Sequence, residues 1–309
     1  MLTLSTFNLR NLGSEARPER LAQLATIIHD DLADPDILAV QEIKAVTAPD
    51  DERPVPADAT YQKLTLAITA AGGPDYAYCE IPPLAGQEGG EAGSNIRVGL
   101  LFNPQRVDLQ RLGQAGPQDS VGIERFGESP ALSLNPGRVA AQHPAFAGDP
   151  QRHWVPSRKA LAVEFQVSEK PLFVIVCHLK SMRSSERRER EYTKKQRHVQ
   201  AQLIHQFAAE LLSHDPQGRV VILGDMNDVT GSKTLDLLKG DLLHNVLETI
   251  PKKTRYTHRS GQRPQTLDHV LVSSSLQRNA FVRVPHVNSD SPPKQQASDH
   301  DPVWVRLTL

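Results

Sequence analysis

The chain reads Arg219-Val220-Val221-Ile222-Leu223-Gly224-Asp225-Met226-Asn227-Asp228 where an aliphatic run passes into a polar turn. The four aliphatic residues predict a strand that is buried on both faces, and Gly224 lets the backbone turn tightly after it. Two acids and an amide follow at once. A strand closed by an Asx-type turn is a common structural explanation of such a pattern. A functional explanation requires other strands to carry polar residues in the same way.

Other aliphatic runs of the chain do carry polar residues at their ends. Asn8 follows the alternating run 2–7, Glu42 follows the run 37–40, and His178 follows the run 173–177. The remaining members of the set are Arg158, before the alternating run 160–167, Asp268, inside the run 266–272, and Asp299 and His300, before the last run. Turn chemistry alone does not account for so consistent a placement, so we predict that these side chains meet at one edge of a sheet.

The order of the predicted elements indicates an α/β fold. Helical spacing predicts helices from Pro18 to about residue 28, over 59–71, over 186–213 and over 232–239. The strand–helix–strand unit of residues 2–42 favours a parallel strand pair, and the runs 160–167 and 171–177 form a hairpin. We therefore expect a mixed-sheet α/β sandwich with one domain over 1–309. Residues from about 113 to 156 lack a sustained period, which predicts an irregular insertion at one rim.

Composition and charge exclude some classes of protein. Of the 309 residues, 39% are hydrophobic and 23% are charged, as in ordinary soluble proteins, and no apolar run is long enough to cross a bilayer. No signal peptide is visible, which favours a cytoplasmic protein and leaves a mature secreted fragment open. A membrane partner is not expected, and a monomer is favoured. The formal net charge of −1 argues against bulk electrostatic binding of nucleic acid but leaves a local basic groove open.

The two cysteines do not form a disulfide framework. Cys177 lies in an apolar run and is expected to be a small buried hydrophobic residue, although one bridge to Cys79 stays open.

The residue types at the strand ends predict metal-assisted hydrolysis. Asparagine, glutamate and aspartate supply the hard oxygen ligands that Mg²⁺, Mn²⁺ or Ca²⁺ prefer, and histidines manage protons near neutral pH. Zinc is disfavoured because no His/Cys pairs occur at zinc spacing. A serine nucleophile is also disfavoured, since neither Ser181 nor Ser298 lies in a Gly-x-Ser-x-Gly elbow.

Taken together, these motifs resemble the endonuclease/exonuclease/phosphatase superfamily, which includes deoxyribonuclease I. The motifs are Asn8, Gln41-Glu42, His178-Leu179-Lys180-Ser181, Gly224-Asp225-Met226-Asn227-Asp228, Asp268 and Ser298-Asp299-His300-Asp301-Pro302-Val303. They run in the expected order from residue 8 to residue 303. The resemblance implies a four-layer α/β/β/α sandwich of two mixed sheets and metal-assisted hydrolysis of a phosphoester at one rim.

The resemblance also implies roles for individual residues. Glu42 is the expected principal Mg²⁺ or Mn²⁺ ligand, with Asn8 and Asp299 nearby and Ca²⁺ open as an additional ion. Asp225 orients or deprotonates the attacking water, and Asn227 holds the phosphoryl oxygens. His300 polarises the phosphate while Asp268 sets its tautomer, and His178 is a second proton donor or phosphate ligand. Candidate phosphate-binding cations are Lys44, Arg158 and Lys180.

The residues around His178 separate the subfamilies. Abasic-site endonucleases typically have tyrosine at this position, so the histidine groups the chain with deoxyribonuclease I-like nucleases, sphingomyelinases and inositol-polyphosphate phosphatases. The following Lys180-Ser181 resembles secreted and bacterial nucleases. An acid that supports this histidine in deoxyribonuclease I is missing around Asn95, and Glu91 is a distant candidate.

We therefore expect a nuclease that cleaves DNA with low sequence specificity, with RNA open as a substrate. A phospholipid or inositol phosphate is the alternative substrate, and a catalytically silent binding scaffold is the alternative class.

Structural explanations stand beside several of these assignments. Arg158 could instead form a buried ion pair with Glu164 or another acid. Asp228 and Asp301 fit turn and capping residues, and His258 and His286 fit ordinary surface or core histidines.

Overall fold

A computed structural model describes residues 1–46, 53–126, 129–183 and 186–309 of the protein. The strands of these residues are β1 (Leu2–Leu12), β2 (Ile37–Ile43), β3 (Ala77–Cys79), β4 (Arg97–Phe102), β5 (Asp108–Leu109), β6 (Ile123–Phe126), β7 (Ser129–Leu132), β8 (Gly137–Arg138), β9 (Leu161–Val167), β10 (Lys170–His178), β11 (Arg219–Asp225), β12 (Leu243–Asn245), β13 (His258–Ser260), β14 (Arg263–Gln265), β15 (Asp268–Ser273), β16 (Phe281–Arg283) and β17 (Val303–Leu307).

The α-helices are α1 (Pro18–Thr26), α2 (Asp58–Ala70), α3 (Pro144–Ala147), α4 (Arg187–His214), α5 (Lys233–Lys239) and α6 (Ser274–Gln277). A π-helical turn (Ile27–Asp31) continues α1, and the 3-10 turns are Pro150–Arg152, Val246–Thr249, Lys252–Thr254 and Pro293–Gln295. None of the helices in the described ranges is long and apolar enough to span a membrane.

Two large mixed sheets form the centre of the molecule. The first has the strand order β16-β17-β1-β2-β4-β3, and the second has the order β12-β15-β11-β10-β9-β5, with β8 paired to β9. β1 runs parallel to β2, and β10 runs parallel to β11, whereas the neighbouring strands in both sheets are antiparallel. The polar ends of the two parallel pairs are Asn8 beside Gln41 and His178 beside Asp225.

Three apolar cores divide the molecule into four layers. The inner faces of the two sheets pack against each other through residues such as Leu4 and Ala39 of the first sheet and Val174 and Val221 of the second. On the outer face of the first sheet lie α1 and α2, and on the outer face of the second lie α4 and α5. Strand side chains alternate between faces, so each sheet supplies two cores. The predicted α/β/β/α sandwich is confirmed.

The element predictions hold for the long periodic segments. The predicted parallel pair, the 160–177 hairpin and the helices near 59–71, 186–213 and 232–239 are all present. β1 differs, because it continues past Asn8 to Leu12 through a register shift against β2. A bulge of this kind keeps the strand paired while it changes the direction of the side chains.

The segment 113–156 is more ordered than its composition indicates. In the part that the structure describes, β6 and β7 form a hairpin, β8 pairs with β9 of the second sheet, and α3 lies close to α4. These elements contain two to four residues each, which is too short for a sequence period to appear. β8 is therefore part of the sheet and not a rim insertion.

Several residues have the structural roles that the sequence predicts. Cys79 and Cys177 are both buried free thiols, so the bridge between them is not formed. The Asp228 carboxylate accepts hydrogen bonds from Arg197 and Thr234, and Asp301 accepts two backbone N–H groups of the 288–289 turn.

Candidate active site

The two sheets meet at one rim, where their polar side chains contact each other. The Asn8 side chain of the first sheet donates to Asp225 Oδ2 of the second sheet at 3.1 Å and to Glu42 Oε1 at 3.3 Å. Asp268 begins β15, which runs antiparallel to β11, so it stands directly beside Asp225. The start of an antiparallel strand lies at the same edge as the end of its neighbour. This is why residues just before β9 and β17 and at the start of β15 join residues at the ends of β2, β10 and β11.

Gly224 is required by the close approach of β10 and β11. Its φ is +136°, and a Cβ at this position would lie 2.0 Å from the carbonyl oxygen of Cys177. The glycine therefore lets the strand pair stay close up to the rim. Glu42 and Asn227 also have left-handed backbones, with φ of +60° and +49°. Strained non-glycine residues are concentrated at functional sites, which agrees with the predicted roles of these two residues.

A cleft of about 670 Å³ opens above this rim. Seven of the predicted site residues line it, namely Glu42, Arg158, His178, Asp225, Asn227, Asp299 and His300. Asn8 and Asp268 lie behind the lining and are fully buried, where they contact Asp225 and His300. The structure therefore brings together all five predicted catalytic residues and all three predicted metal ligands.

His300 is held as a cation by Asp268. Its Nδ1 lies 2.7 Å from Asp268 Oδ2, and both side chains are buried. Burial alone would lower the pKa of His300, but the Asp268 charge and hydrogen bond raise this pKa to about 10. His300 is consequently an imidazolium at neutral pH. Its Nε2 faces the cleft residue Asp225, whose Oδ2 lies 4.0 Å away.

Asp225 is a buried carboxylate between two histidines. Burial raises its pKa above the ordinary range of an aspartate, and the His300 charge opposes this effect. The Asn227 backbone N–H donates to Oδ1 at 2.8 Å. In the described chain, no lysine or arginine nitrogen lies within 4.0 Å of this carboxylate, and the two basic side chains that do are His178 and His300. Such a carboxylate is a stronger base than an exposed one.

His178 is neutral. Burial lowers its pKa well below the ordinary value, and the nearby charge of Arg158 lowers it further. Its Nε2 lies 3.5 Å from Asp225 Oδ2 and 3.9 Å from Glu42 Oε1. Its buried Nδ1 has no hydrogen-bond partner, so Glu91, although it lines the cleft, does not support this histidine. The family resemblance leads one to expect an acid that supports this histidine. Among the described residues, none bonds to His178 Nδ1 in its place.

Glu42 has the features of a cation ligand. Among the described residues, its two carboxylate oxygens accept only the neutral donors Asn8 Nδ2 and the Asn11 backbone N–H, at 3.3 and 3.0 Å. Its histidine neighbour, His178, is neutral, and the Glu42 side chain is 20% exposed at the cleft. A partly open carboxylate that is uncompensated by a direct ion pair fits a hard divalent cation.

Two groups of acids and histidines at the rim lie within metal-binding distance of one another, and neither contains Glu42. They are His258 with Asp299 and His300, and Asp225 with Asp268 and His300. The site therefore contains acidic and histidine groups that could hold a metal ion.

His258 is a cleft residue that sequence reasoning missed. It begins β13, forms a backbone bridge with His300, and places its ring 5.0 Å from the His300 ring. Burial and then the His300 charge lower its pKa, and its Nδ1 has no partner. β13 and β14 are three residues long and carry no motif, so the sequence offers no signal for this residue. His258 thus lies at the cleft, a position that the interpretation as an ordinary surface or core histidine did not anticipate.

The predicted phosphate-binding cations fall into two groups. Arg158 lines the cleft and donates to the Leu179 carbonyl at 2.9 Å, while its buried Nε has no partner. The alternative ion pair with Glu164 is not formed, because the Glu164 carboxylate accepts the Leu132 N–H instead.

Lys44 and Lys180 do not line the cleft. The Lys44 ammonium lies 2.5 Å from Glu15, which gives it a structural partner. Lys180 is half-buried close behind the site, where burial and the Arg158 charge lower its pKa to about 8.

Comparisons with known proteins agree with this geometry. The family model of the endonuclease/exonuclease/phosphatase family matches residues 5–300. The chain belongs to this family, a group of hydrolases that act on phosphoesters. No curated protein is significantly similar to the chain in sequence.

Solved structures share the fold at low sequence identity. Truncated Caenorhabditis elegans TDP2 is 15% identical with a TM-score of 0.60, over 100% of this chain and 97% of that chain. D. rerio TDP2 complexed with a single-strand DNA product is 16% identical with a TM-score of 0.57, over 100% and 99%. A Bacteroides thetaiotaomicron mannosyl-6-phosphatase is 17% identical with a TM-score of 0.57, over 100% of both chains.

Proposed function

We propose that the protein is a metal-dependent nuclease that hydrolyses DNA phosphodiester bonds with low sequence specificity. The observation that carries this proposal is the position of buried Asp225 between neutral His178 and cationic His300, with Glu42 beside it. This arrangement offers a base, a cationic donor and a cation ligand around one point of the cleft. Metal-assisted phosphodiester hydrolysis uses all three.

Asp225 is the proposed base. Its raised pKa increases its affinity for a proton, and its Oδ2 is the oxygen that faces both histidines. A water molecule next to this oxygen gives its proton to Asp225 as it attacks phosphorus in line with the leaving oxygen. The reaction therefore needs no covalent intermediate.

His300 and Asn227 are the proposed phosphate-binding donors. The imidazolium of His300 stabilises the charge that develops on the phosphoryl oxygens, because Asp268 holds it protonated and fixed. Asn227 Nδ2 donates to the Leu179 carbonyl at 3.0 Å and to Asp225 Oδ2 at 3.4 Å, so it binds a phosphoryl oxygen by exchanging the longer and weaker of these two hydrogen bonds. Neutral His178 adds a second donor, and Arg158 adds a cation at the side of the cleft.

A divalent cation fits the oxygen donors of the rim. Glu42, Asn8 and Asp299 would hold a Mg²⁺ or Mn²⁺ ion, whose charge neutralises phosphoryl oxygens and the leaving alkoxide when it is bound. The uncompensated Glu42 carboxylate supports this assignment.

DNA is the substrate that the edges of the cleft support. Arg10 and Arg183 both line the cleft and lie 4.0 and 3.5 Å from the same Asp299 oxygen, Oδ2. Exposed cations beside the reacting centre suit a strand whose phosphates continue beyond the scissile one. The likeness to TDP2 in complex with a DNA product agrees with this choice, whereas the likeness to a sugar phosphatase motivates a phosphomonoester control.

The proposal is tested with purified protein and a panel of substrates. Supercoiled plasmid, single-stranded DNA, RNA, mannose 6-phosphate, an inositol phosphate and phosphatidylcholine vesicles are each incubated with Mg²⁺ or Mn²⁺. We expect plasmid nicking by the wild type, loss of nicking in His300→Ala, and retention in His214→Ala, at the far end of α4. Release of phosphate from the small substrates with DNA left intact would exclude a nuclease and favour a phosphatase.

A further inference from the structure

A second pocket opens beside the catalytic cleft. Its volume is about 550 Å³, and it shares Arg10 and Asn11 with the cleft. The rest of its lining is Arg17, Arg20, Pro293, Lys294, Gln296 and Ala297. Four of these eight residues are cationic and none is acidic. We call it the basic pocket.

The floor of the basic pocket is a fixed guanidinium. Arg20 donates through Nε to the Ala297 carbonyl at 2.9 Å and through Nη2 to the Arg10 carbonyl at 2.8 Å and the Leu9 carbonyl at 2.5 Å. These bonds tie the end of β1, the start of α1 and the segment before β17 together. The pocket is therefore built from three parts of the chain that the fold holds in place.

The charge of the basic pocket is not neutralised from within. Over the described ranges, no carboxylate lies within 4.0 Å of Arg17, Arg20 or Lys294, and Arg10 reaches only Asp299, at 4.0 Å. Burial and then the repulsion from the Arg10 charge lower the pKa of Arg20, while Asp299, Glu42 and Glu15, none of which lines the pocket, oppose this effect. An anion in the pocket would relieve this repulsion.

Two backbone features add to the affinity for an anion. α1 begins at Pro18 beside the pocket, and its N-cap residue Arg17 makes no side-chain capping hydrogen bond. Pro18 offers no N–H group and Glu19 places an acid in the first turn, so the positive end of this helix adds only a minor share. Arg10 and Asn11 both have left-handed backbones, with φ of +45° and +50°. This strain stands at the point where the two cavities join, as strain does in ligand-binding segments.

We propose that the basic pocket binds a second phosphate of the polynucleotide strand whose scissile phosphate lies in the cleft. The inference rests on the proposed nuclease function and adds a site to it. Because the pocket and the cleft share a wall, one strand can pass from one into the other, whereas a substrate with one phosphate fills the cleft alone. The pocket therefore selects polymers over small phosphoesters.

The test compares two double variants with the same change of charge. Arg17→Glu/Lys294→Glu alters the exposed cations of the basic pocket. Lys170→Glu/Arg278→Glu alters two exposed cations far from the rim, at the start of β10 and directly after α6, and serves as the control. Hydrolysis of a 12-nucleotide single strand and of bis(4-nitrophenyl) phosphate is measured for both. On the oligonucleotide, the kcat/KM of the pocket variant should be about ten- to hundredfold lower than that of the control, which is the effect of removing a charged hydrogen bond. On the small diester, the kcat/KM of the two double variants should be the same.

A binding arm separates failure of the inference from failure of the proposed function. Fluorescence anisotropy of the labelled oligonucleotide in EDTA gives the salt dependence of affinity. The slope of this dependence should be smaller by about 0.7 in the pocket variant, because one phosphate fewer is neutralised by the protein. Equal slopes in the two double variants would overturn the inference even if the wild type cleaves DNA. If the wild type hydrolyses neither substrate, the nuclease proposal fails, and the slopes still decide whether the pocket binds a strand.

Discussion

At the scale of single residues, the site depends on a pair of histidines in opposite charge states. His300 is raised to the imidazolium by Asp268, and His178 is kept neutral by burial. Both lie within 4.0 Å of the same Asp225 oxygen. His300 can therefore donate a hydrogen bond as a cation. His178, being neutral, does not lower the basicity of the Asp225 carboxylate.

Asp268→Asn should lower the pKa of His300, because it removes the charge that opposes burial. The wild-type imidazole should titrate near pH 10 and the variant at lower pH, as followed by NMR. The alkaline limit of activity should move to lower pH with it, and kcat should fall about 100-fold or more. The control is Asp108→Asn in β5, which pairs with the end of β9 that lies away from the rim. An unchanged His300 titration in Asp268→Asn would contradict the assignment.

The Asp268–His300 pair makes the stability of the protein depend on pH. Since the folded pKa of His300 is raised above the unfolded value of about 6.5, its contribution is full below that pH and is lost as pH rises toward about 10. The free energy of unfolding of the wild type should therefore exceed that of Asp268→Asn by an amount that shrinks over this window. Urea denaturation at several pH values measures it, and a difference that grows with pH would refute the sign.

His258→Ala should weaken catalysis without weakening the fold. The ring stands at the cleft with an unpartnered Nδ1, so its removal costs the substrate about one neutral hydrogen bond, or up to about tenfold in kcat/KM. Thermal unfolding should shift no more than in the control His244→Ala. Wild-type kinetics in His258→Ala would show that this histidine does not face the substrate.

At the scale of elements, the pair β10 and β11 sets the precision of the rim. The strands are parallel from Leu172 and Arg219 to His178 and Asp225, so the last residues of the pair stand side by side. Their close approach at Gly224 depends on the absence of a side chain.

Gly224→Ala should destabilise the protein strongly, because its Cβ would meet the Cys177 backbone at 2.0 Å and neither strand can move alone. We expect the free energy of unfolding to fall by about 3 kcal/mol or more, together with loss of activity. Gly231→Ala is the matched control, because Gly231 also has positive φ but open space around it, and it should cost about 1 kcal/mol. Equal costs, measured by urea denaturation, would show that the close approach is unimportant.

The predictability of an element followed its length. α4 and β9–β11 have long, regular apolar patterns, and their predicted bounds lie within a few residues of the observed ones. The hairpin β13–β14 and the strands β6–β8 were not predicted, because two to four residues are too few for a period. Since β13 carries His258, this limit also hid a cleft residue.

At the scale of the whole molecule, the rim exists because two sheets are stacked with their parallel pairs ending at the same edge. The Asn8–Asp225 hydrogen bond joins residues 217 positions apart in sequence and crosses from one sheet to the other. A ligand that contacts both sheets at this rim therefore stabilises the packing of the layers as well as the site. The organisation of residues 1–309 as one domain, and a monomeric state, stay predictions.

A metal ion should stabilise the whole molecule through Glu42. Protein treated with EDTA should gain about 2.7 kcal/mol of unfolding free energy at Mn²⁺ or Mg²⁺ concentrations 100-fold above Kd, and activity should disappear in EDTA. Glu42→Gln should abolish the gain, because it removes the uncompensated carboxylate. Glu91→Gln, which alters another acid of the cleft lining, should keep it. A metal-dependent thermal shift in Glu42→Gln equal to the wild type would place the ion elsewhere.

The sequence by itself determined the layers and most of the candidate site. Aliphatic runs specify strands, and amphipathic spacing specifies helices. The neighbouring sequence alone indicates the site residues that lie next to or within those runs, namely Asn8, Glu42, Asp225, Asp268 and His300. Only the tertiary structure decided the protonation of the histidines, the partner of Lys44, the place of His258 and the existence of the basic pocket. Each of these depends on burial and on contacts between segments far apart in the chain, which no local pattern encodes.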